Sequence, residues 1–214
     1  MTKKQFITFN PYFFYPFFIW IIAAGALQFF FTKEELFRVV NTNSNAIIDS
    51  FIYYITWIGQ AEIIIPVLLF LFIYNEYRTW WYFVTALLCN IIPFFLQQLL
   101  KFYYDEPRPI NYFHNAQWIH YVTGWPVLYN RSFPSGHTEG AFSLLCFLSF
   151  LLPVNKRKYG LLFFFIALFV GYSRIYLTAH FFEDVYVGSL VGVLTTTIFY
   201  AIMIPYKKQR KHLQ

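Results

Sequence analysis

The sequence predicts an all-α integral membrane protein, a bundle of six transmembrane helices, on three observations. Only 12% of the 214 residues are charged and 58% are hydrophobic, whereas soluble domains carry about 25% charged residues. The hydrophobic residues are concentrated in six runs, most of them near the roughly 20 residues with which a helix crosses a bilayer. The Lys and Arg residues lie mainly between alternate runs.

The six runs leave little chain for anything else, so residues 1–214 are predicted to form one domain. The first could instead be a signal peptide, because Lys3 and Lys4 precede it and small residues follow. It continues to Phe31, however, further than such a peptide requires. The predicted spans are residues 12–31, 52–74, 80–100, 137–152, 159–176 and 185–204, of which the fourth is short.

The distribution of basic residues predicts the orientation. Ten of the sixteen Lys and Arg residues lie at the two termini, between spans two and three, or between spans four and five. By the positive-inside rule, both termini are then cytoplasmic. The basic tail from Lys207 to Lys211 is expected to anchor the last helix to an anionic membrane surface rather than to bind nucleic acid. Cys89 and Cys146 lie within apolar runs and are expected to be packing residues.

Polar side chains gather at the predicted extracytoplasmic ends of the spans. Because successive spans alternate in direction, three separate segments are expected to meet there. Any one of these charges alone could pair with a lipid headgroup. Ionisable groups close to a bilayer are costly, however, so the whole set predicts a functional site. The set comprises Lys101, Arg108, Ser135, Gly136, His137, Arg174, His180 and Asp184.

The cations of this set suit a phosphoryl group. Arg108 and Arg174 can each present a planar fork to two oxygens, and Lys101 adds a compact charge. Ser135 and Gly136 precede a predicted helix, whose free N–H groups favour an anion. Positioned donors of this kind stabilise charge that develops in a transition state.

The two histidines complete a possible mechanism. His180 and Asp184 are four residues apart and would share one face if the segment is helical. A carboxylate on one ring nitrogen fixes the tautomer and leaves the other nitrogen free to attack. His137 would then protonate the leaving group as a general acid. We therefore expect a covalent phosphohistidine that water hydrolyses.

Three motifs resemble those of the type-2 phosphatidic acid phosphatases, or lipid phosphate phosphatases, whose superfamily includes bacterial acid phosphatases and vanadium haloperoxidases. The first motif is a Lys, six residues and Arg-Pro, from Lys101 to Pro109. The second is Pro-Ser-Gly-His, ending at His137. The third is Ser-Arg, five residues, His, three residues and Asp, from Ser173 to Asp184. The motif region covers residues 101–184, and the six-span layout extends the resemblance to nearly the whole chain.

The resemblance implies the same roles for the same residues. His180 would be the nucleophile, Asp184 its orienting group and His137 the acid, with the phosphate held by the other five residues of the set. It also implies catalysis without a metal or other cofactor, at a site facing away from the cytoplasm. Haloperoxidase activity is not expected, because the relatives that oxidise halides are not six-span bundles.

Three other polar residues have open roles. Arg131 could contact a second phosphate or headgroup, or could pair with Asp105 or Glu106. Glu139 could stabilise the first turn of its helix or contact the substrate. Glu62, next to Gln60 in the second span, could support the bundle interior or contact the substrate.

The sequence therefore predicts a metal-independent phosphatase of a membrane lipid in the cytoplasmic (inner) membrane, with the bilayer and its lipid as the expected partners and no obligate protein partner. Candidate substrates are phosphatidylglycerol phosphate, undecaprenyl diphosphate, phosphatidic acid and lipid A, and a bacterial envelope lipid is favoured. The alternative is a non-catalytic protein that binds or translocates a phospholipid. That protein would not need both His137 and the pair formed by His180 and Asp184.

Overall fold

A computed structural model describes residues 9–41, 45–114 and 116–209. The basic flanks Lys3, Lys4, Arg210 and Lys211, used for the predicted orientation, lie outside these residues. Within the described ranges the regular structure is helical, without a β-strand. The helices are α1 (Pro11–Phe30), α2 (Lys33–Asn41), α3 (Ala46–Ile55), α4 (Ala61–Leu71), α5 (Trp80–Tyr104), α6 (Pro109–Tyr112), α7 (Gly136–Leu151), α8 (Tyr159–Tyr176) and α9 (Phe182–Gln209), with single 3₁₀ turns at Thr56–Gly59 and Val154–Lys156.

Four of the described helices, α1, α5, α8 and α9, are long and apolar enough to cross a membrane. The bent pair formed by α3 and α4 would be a fifth span. The helix at the fourth predicted span, α7, has 16 residues and is therefore about 24 Å long, shorter than the roughly 30 Å hydrocarbon layer. Helix length alone therefore supports four or five spans rather than the predicted six.

The second predicted span is not one straight helix. It bends by 57° between α3 with its 3₁₀ turn and α4. Gly59 ends the turn, and a Cβ atom on it would lie 2.1 Å from the carbonyl oxygen of His137. The bend therefore places backbone from the second span directly against the start of α7. The prediction of a continuous helix over residues 52–74 was wrong here, because the apolar run continues on both sides of the bend.

Helix α7 lies at the centre of the bundle. Eleven of its sixteen residues are buried, so it needs little contact with lipid. It packs closely on α9, where a Cβ atom on Gly188 would lie 2.7 Å from the carbonyl oxygen of Ser135. This close contact holds the first turn of α7 against the first turns of α9. Cys89 and Cys146 are buried and unbridged, as expected of packing residues.

The outer surface of the bundle is apolar. Large side chains such as Ile22 (74% exposed), Phe29 (86%) and Phe95 (62%) point outward, whereas Phe13, Phe142 and other rings fill the interior. Apolar patches of this extent are rare on soluble monomers. The surface is that of a helical protein whose solvent is lipid.

The close contact between α7 and α9 predicts a loss of stability when Gly188 is replaced by a larger residue. We expect Gly188→Ala to lower the thermal unfolding temperature in detergent, because a carbonyl oxygen must move to admit the methyl group and overpacking costs about 1–3 kcal/mol. Gly25→Ala is the matched control, since a Cβ atom there makes only ordinary contact at 3.5 Å with the Tyr186 hydroxyl. An unchanged or higher unfolding temperature for Gly188→Ala would contradict this view of the interface.

Candidate active site

The three motif segments meet at one end of the bundle, around the buried carboxylate of Asp184. Its Oδ2 atom accepts hydrogen bonds from the Ser132 hydroxyl (2.5 Å), the Phe181 N–H (2.8 Å) and the His180 ring at Nδ1 (3.3 Å). Its backbone carbonyl accepts from the N–H of Ser135 (3.0 Å). One residue at the start of α9 thus joins the second and third motifs.

The His180 ring is fixed in one tautomer by these contacts. Since Nδ1 faces Asp184, that nitrogen carries the proton, and Nε2 is free to accept from the Arg108 guanidinium at 3.5 Å. His180 lies just before α9 rather than inside it. The pair therefore forms because Asp184 reaches back from the first turn of the helix, and not across a helix face as predicted. Burial, with the neighbouring Arg108, holds the pKa of His180 well below its usual value, which favours the neutral ring.

Arg108 is held mainly by backbone. It donates from Nε to the carbonyl of Asn130 (2.9 Å) and from Nη1 to that of Ala179 (2.9 Å). Its Nη2 atom donates to the carbonyl of Arg131 (3.4 Å). Together with the His180 contact, these bonds use most of its five N–H groups. Arg108 therefore shapes the two loops around the site and leaves little capacity for a ligand.

Arg174, in contrast to Arg108, makes few hydrogen bonds. It is 1% exposed, donates from Nη1 to the Thr56 hydroxyl at 2.7 Å, and lies over the Trp125 ring at 4.8 Å. Its Nε atom is buried without a hydrogen-bond partner among the described residues. A guanidinium with several unused N–H groups at the end of a cavity is suited to bind an anion.

A cavity of about 720 Å³ extends from these groups between α4 and α5. Its polar end is lined by Lys101, Arg108, His137, Arg174 and His180. Its walls are largely apolar side chains of α4 and α5. No residue of α4 is fully buried, although the Tyr82 hydroxyl of α5 donates to the Leu68 carbonyl of α4 at 3.2 Å, so the cavity lies between two helices that are in contact.

Lys101 lies in the last turn of α5 rather than beyond it. In the described part of the chain, no carboxylate or hydrogen-bond acceptor pairs with its ammonium group. Its charge is therefore directed into the cavity, where it adds to that of the two guanidinium groups.

The second motif supplies the opposite wall. His137 and Gly136 line the cavity, and the His137 Nε2 atom lies 2.7 Å from the Gln60 side-chain amide. Ser135, however, is buried, and its hydroxyl caps α7 by accepting from the hydroxyl (2.9 Å) and N–H (3.4 Å) of Thr138. The structure does not bring Ser135 to the cavity, and its role in phosphate binding stays a prediction.

The three residues whose roles the sequence left open lie in two different surroundings. Arg131 is 65% exposed, with its Nε atom 3.8 Å from a carboxylate oxygen of Asp105, which favours the loop pairing over a second phosphate. Glu139 and Glu62 both line the cavity. Glu139 is buried in the first turn of α7 and accepts from the Ser143 hydroxyl at 2.6 Å. Its position in that turn suits a helix-stabilising role, and its position at the cavity suits contact with a substrate, so both roles stay predictions.

An outer layer holds the loop that carries His180. Lys33 of α2 pairs with Glu183 (2.5 Å) and Glu106 (3.2 Å) and lies over the Phe181 ring at 4.2 Å. Burial alone would lower the pKa of Lys33, but the two carboxylates outweigh it and raise the pKa. Asn41 donates to the Tyr176 carbonyl and the Thr178 hydroxyl, both at 2.9 Å. The end of α2 is thereby fixed to the loop that precedes α9.

Three residues at the site were missed by reasoning from the sequence. Ser132 and Thr56 hold Asp184 and Arg174, and Gln97 donates to the Pro134 carbonyl at 3.0 Å. None of them has a spacing that distinguishes it from other polar residues. Within the described ranges, no group of three or more His, Cys, Asp or Glu residues could hold a metal ion.

Comparisons with known proteins agree with the motifs. A family model, the PAP2 superfamily, matches residues 78–208. An undecaprenyl-diphosphatase of Sulfolobus acidocaldarius is 27% identical over 178 residues, covering 81% of this chain and 80% of the relative. A lipid A 4'-phosphatase of Porphyromonas gingivalis is 27% identical over 191 residues, covering 83% and 75%. The crystal structure of Aquifex aeolicus LpxE superposes with a TM-score of 0.65 at 29% identity, covering 78% of this chain and 93% of the other.

The two guanidinium groups are expected to differ when each is replaced by Lys. Arg174→Lys should weaken binding of inorganic phosphate about tenfold or more, since a charge-assisted hydrogen bond contributes about 1.5–3 kcal/mol, with a smaller fall in unfolding temperature than Arg108→Lys because only the bond to Thr56 is at stake. Arg108→Lys should lower the unfolding temperature as well, because three carbonyls lose their donor. Calorimetric titration and thermal unfolding measure both effects. The same pattern in the two variants would contradict the division of roles.

Proposed function

The chain belongs to the PAP2 superfamily, and from this we propose that it is a lipid phosphatase that forms a covalent intermediate on His180. The observation that carries the proposal is the position of the His180 ring. Its Nε2 atom is beside Arg108 at the polar end of the cavity, and its Nδ1 atom is held by Asp184. This is the arrangement that an imidazole nucleophile requires.

The shape and charge of the cavity support a lipid phosphate as the ligand. Lys101, Arg108 and Arg174 surround the polar end, where a phosphate dianion would offset their concentrated positive charge. The apolar walls of α4 and α5 would hold the hydrocarbon chain of the same molecule. A lipid could enter from the bilayer beside α4, so that its headgroup reaches the cations while its tail stays in an apolar environment.

In the first step, the lone pair of His180 Nε2 attacks phosphorus. A P–N bond forms as the P–O bond to the lipid breaks, and the departing oxygen takes a proton from His137. Arg174 and Lys101 stabilise the charge on the remaining phosphoryl oxygens. Asp184 stabilises the Nδ1–H of His180 as the ring becomes positive.

In the second step, water attacks the phosphoryl group and returns the nucleophile. His137, now unprotonated, takes a proton from the water as the new P–O bond forms and the P–N bond breaks. Inorganic phosphate leaves and both histidines regain their starting states.

Catalysis without a metal ion or other cofactor is part of the proposal. Three cationic side chains surround the end of the cavity where a metal ion would have to bind the phosphate. Their positive charge would repel a metal cation placed among them. The same cations supply the charge stabilisation that a metal would otherwise provide.

The substrate is proposed to be a phosphate or diphosphate of an envelope lipid. The two curated relatives described above are named for undecaprenyl diphosphate and for lipid A, and both molecules combine phosphate with long hydrocarbon chains. Competition among these two lipids, phosphatidylglycerol phosphate and phosphatidic acid, with purified protein, would rank them.

The proposed topology is a single domain of six spans: α1, the bent pair α3–α4, α5, α7, α8 and α9. With six crossings, both termini lie on one side, proposed to be the cytoplasm, and the site lies at the extracytoplasmic end of the cytoplasmic membrane. The basic residues Arg78, Lys156 and Lys158 lie at the end opposite the site, as the positive-inside rule requires.

The nucleophile assignment predicts the behaviour of one variant and one reagent. With a short-chain lipid phosphate in detergent, His180→Ala should lose phosphate release, because no other side chain replaces the attacking nitrogen. A chelator should leave wild-type activity unchanged. Activity equal to wild type in the variant would reject the nucleophile, and loss with chelator would reject metal independence. A folded wild-type protein that binds lipid phosphate without releasing phosphate would favour the non-catalytic alternative.

The topology predicts which positions an impermeant thiol reagent reaches in intact cells. The exposed Gln117, in the loop beside the site, should be labelled when replaced by Cys. Asn155→Cys, between α7 and α8, should be labelled only after the cells are opened. The buried Cys89 and Cys146 keep the background low. Labelling of Asn155→Cys alone in intact cells would invert the proposed orientation.

A further inference from the structure

The break in the second span carries Gln60 to the general acid of the proposed mechanism. Gln60 has an extended backbone (φ −102°, ψ 152°) between the 3₁₀ turn and α4. The nitrogen of its side-chain amide lies 2.7 Å from Nε2 of His137. The contact joins residues 77 apart in sequence, and Gln60 lines the same cavity as His137.

Several features fix the geometry of this contact. Gly59 allows the turn to lie against the His137 carbonyl, where any Cβ atom would collide at 2.1 Å. On the other side, the Trp125 ring packs edge-on against the His137 ring at 6.3 Å. Thr56, in the same turn, binds Arg174 at 2.7 Å. The break is therefore held at both ends by groups at the site.

We propose that Gln60 is a positioning residue that holds the His137 ring through Nε2 and leaves Nδ1 to deliver the proton to the departing lipid oxygen. In the part of the chain that the structure describes, Nδ1 of His137 makes no hydrogen bond. The inference rests on the proposed function, since it requires His137 to act as the acid.

The chemistry of the amide suits a ring that exchanges its proton at Nδ1 alone. An imidazolium donates from both nitrogens, and after Nδ1 gives up its proton the neutral ring still donates from Nε2. Nε2 is therefore a donor throughout the turnover. The Gln60 amide oxygen accepts this bond in both states once a half-turn about the last bond of the side chain brings it to Nε2 in place of the amide nitrogen. A leucine of similar size could not accept it.

The test uses Gln60→Leu with two substrates. A short-chain phosphatidic acid has an alkoxide leaving group that needs a proton, whereas 2,4-dinitrophenyl phosphate releases a phenolate that does not. Gln60→Leu should slow single-turnover release of the leaving group from the lipid about 10- to 100-fold, part of the roughly 10²–10⁴-fold that a general acid supplies, with little change in the burst of phenolate from the aryl phosphate. These first-step rates are compared because water attack in the second step is common to both substrates. Gln28→Leu is the matched control, because that amide donates only to the Ala24 carbonyl of its own helix. It should leave both rates unchanged.

A double-variant cycle on the lipid substrate alone gives a second readout. Gln60→Leu combined with His137→Ala should be no slower than His137→Ala by itself, because Gln60 acts only through that ring.

Equal slowing of both substrates by Gln60→Leu, or additive losses in the cycle, would overturn the inference. If His180→Ala stays active, the proposed function fails instead. If His180→Ala is inactive, His137→Ala is slow on the lipid and Gln60→Leu is as fast as wild type, only the inference fails.

Discussion

The site depends on the buried carboxylate of Asp184. Three donors converge on its Oδ2 atom, and its own carbonyl binds the first turn of α7. The loop before α7, the loop before α9 and the His180 ring are thereby set relative to one another by a single residue. Removing one partner of such a buried charged network leaves the others unsatisfied, which is costly in a low-dielectric interior. The geometry of the His180 ring is therefore tied to the packing of α7 on α9.

The balance of charge around that carboxylate favours an anionic ligand. Arg108, Arg174 and Lys101 all face the cavity or its edge, while the Oδ2 atom of Asp184 is committed to its own donors. Arg108 donates most of its N–H groups to loop carbonyls, whereas Arg174 and Lys101 have N–H groups left for a ligand. Burial of charge is unfavourable unless the charge is paired, so three cations at one end of the cavity favour binding of a dianion. The division also separates a residue that shapes the site from residues that bind within it.

The sequence was sufficient to predict that the three motif segments meet at one end of the bundle, because the motif residues stand at ends of apolar runs that must alternate in direction. It was insufficient wherever contacts depend on loop conformation. Ser132 and Thr56 show no periodicity or spacing, and their roles exist only once the loops fold. The break at Gly59 was hidden because apolar residues continue through Leu71. The pairing of His180 with Asp184 was expected from a shared helix face, but it arises from the carboxylate reaching back to residues before the helix.

These features lead to one account, in which a fixed imidazole at the polar end of an apolar cavity attacks a lipid phosphate. The most direct measurement is to mix the protein with a lipid phosphate labelled on phosphorus, stop the reaction within one turnover in alkali, where phosphohistidine survives, and map the label by mass spectrometry. The account predicts one phosphoryl group on the peptide that contains His180. Label on a different residue, or hydrolysis within a single turnover with no labelled protein at any time, would contradict it.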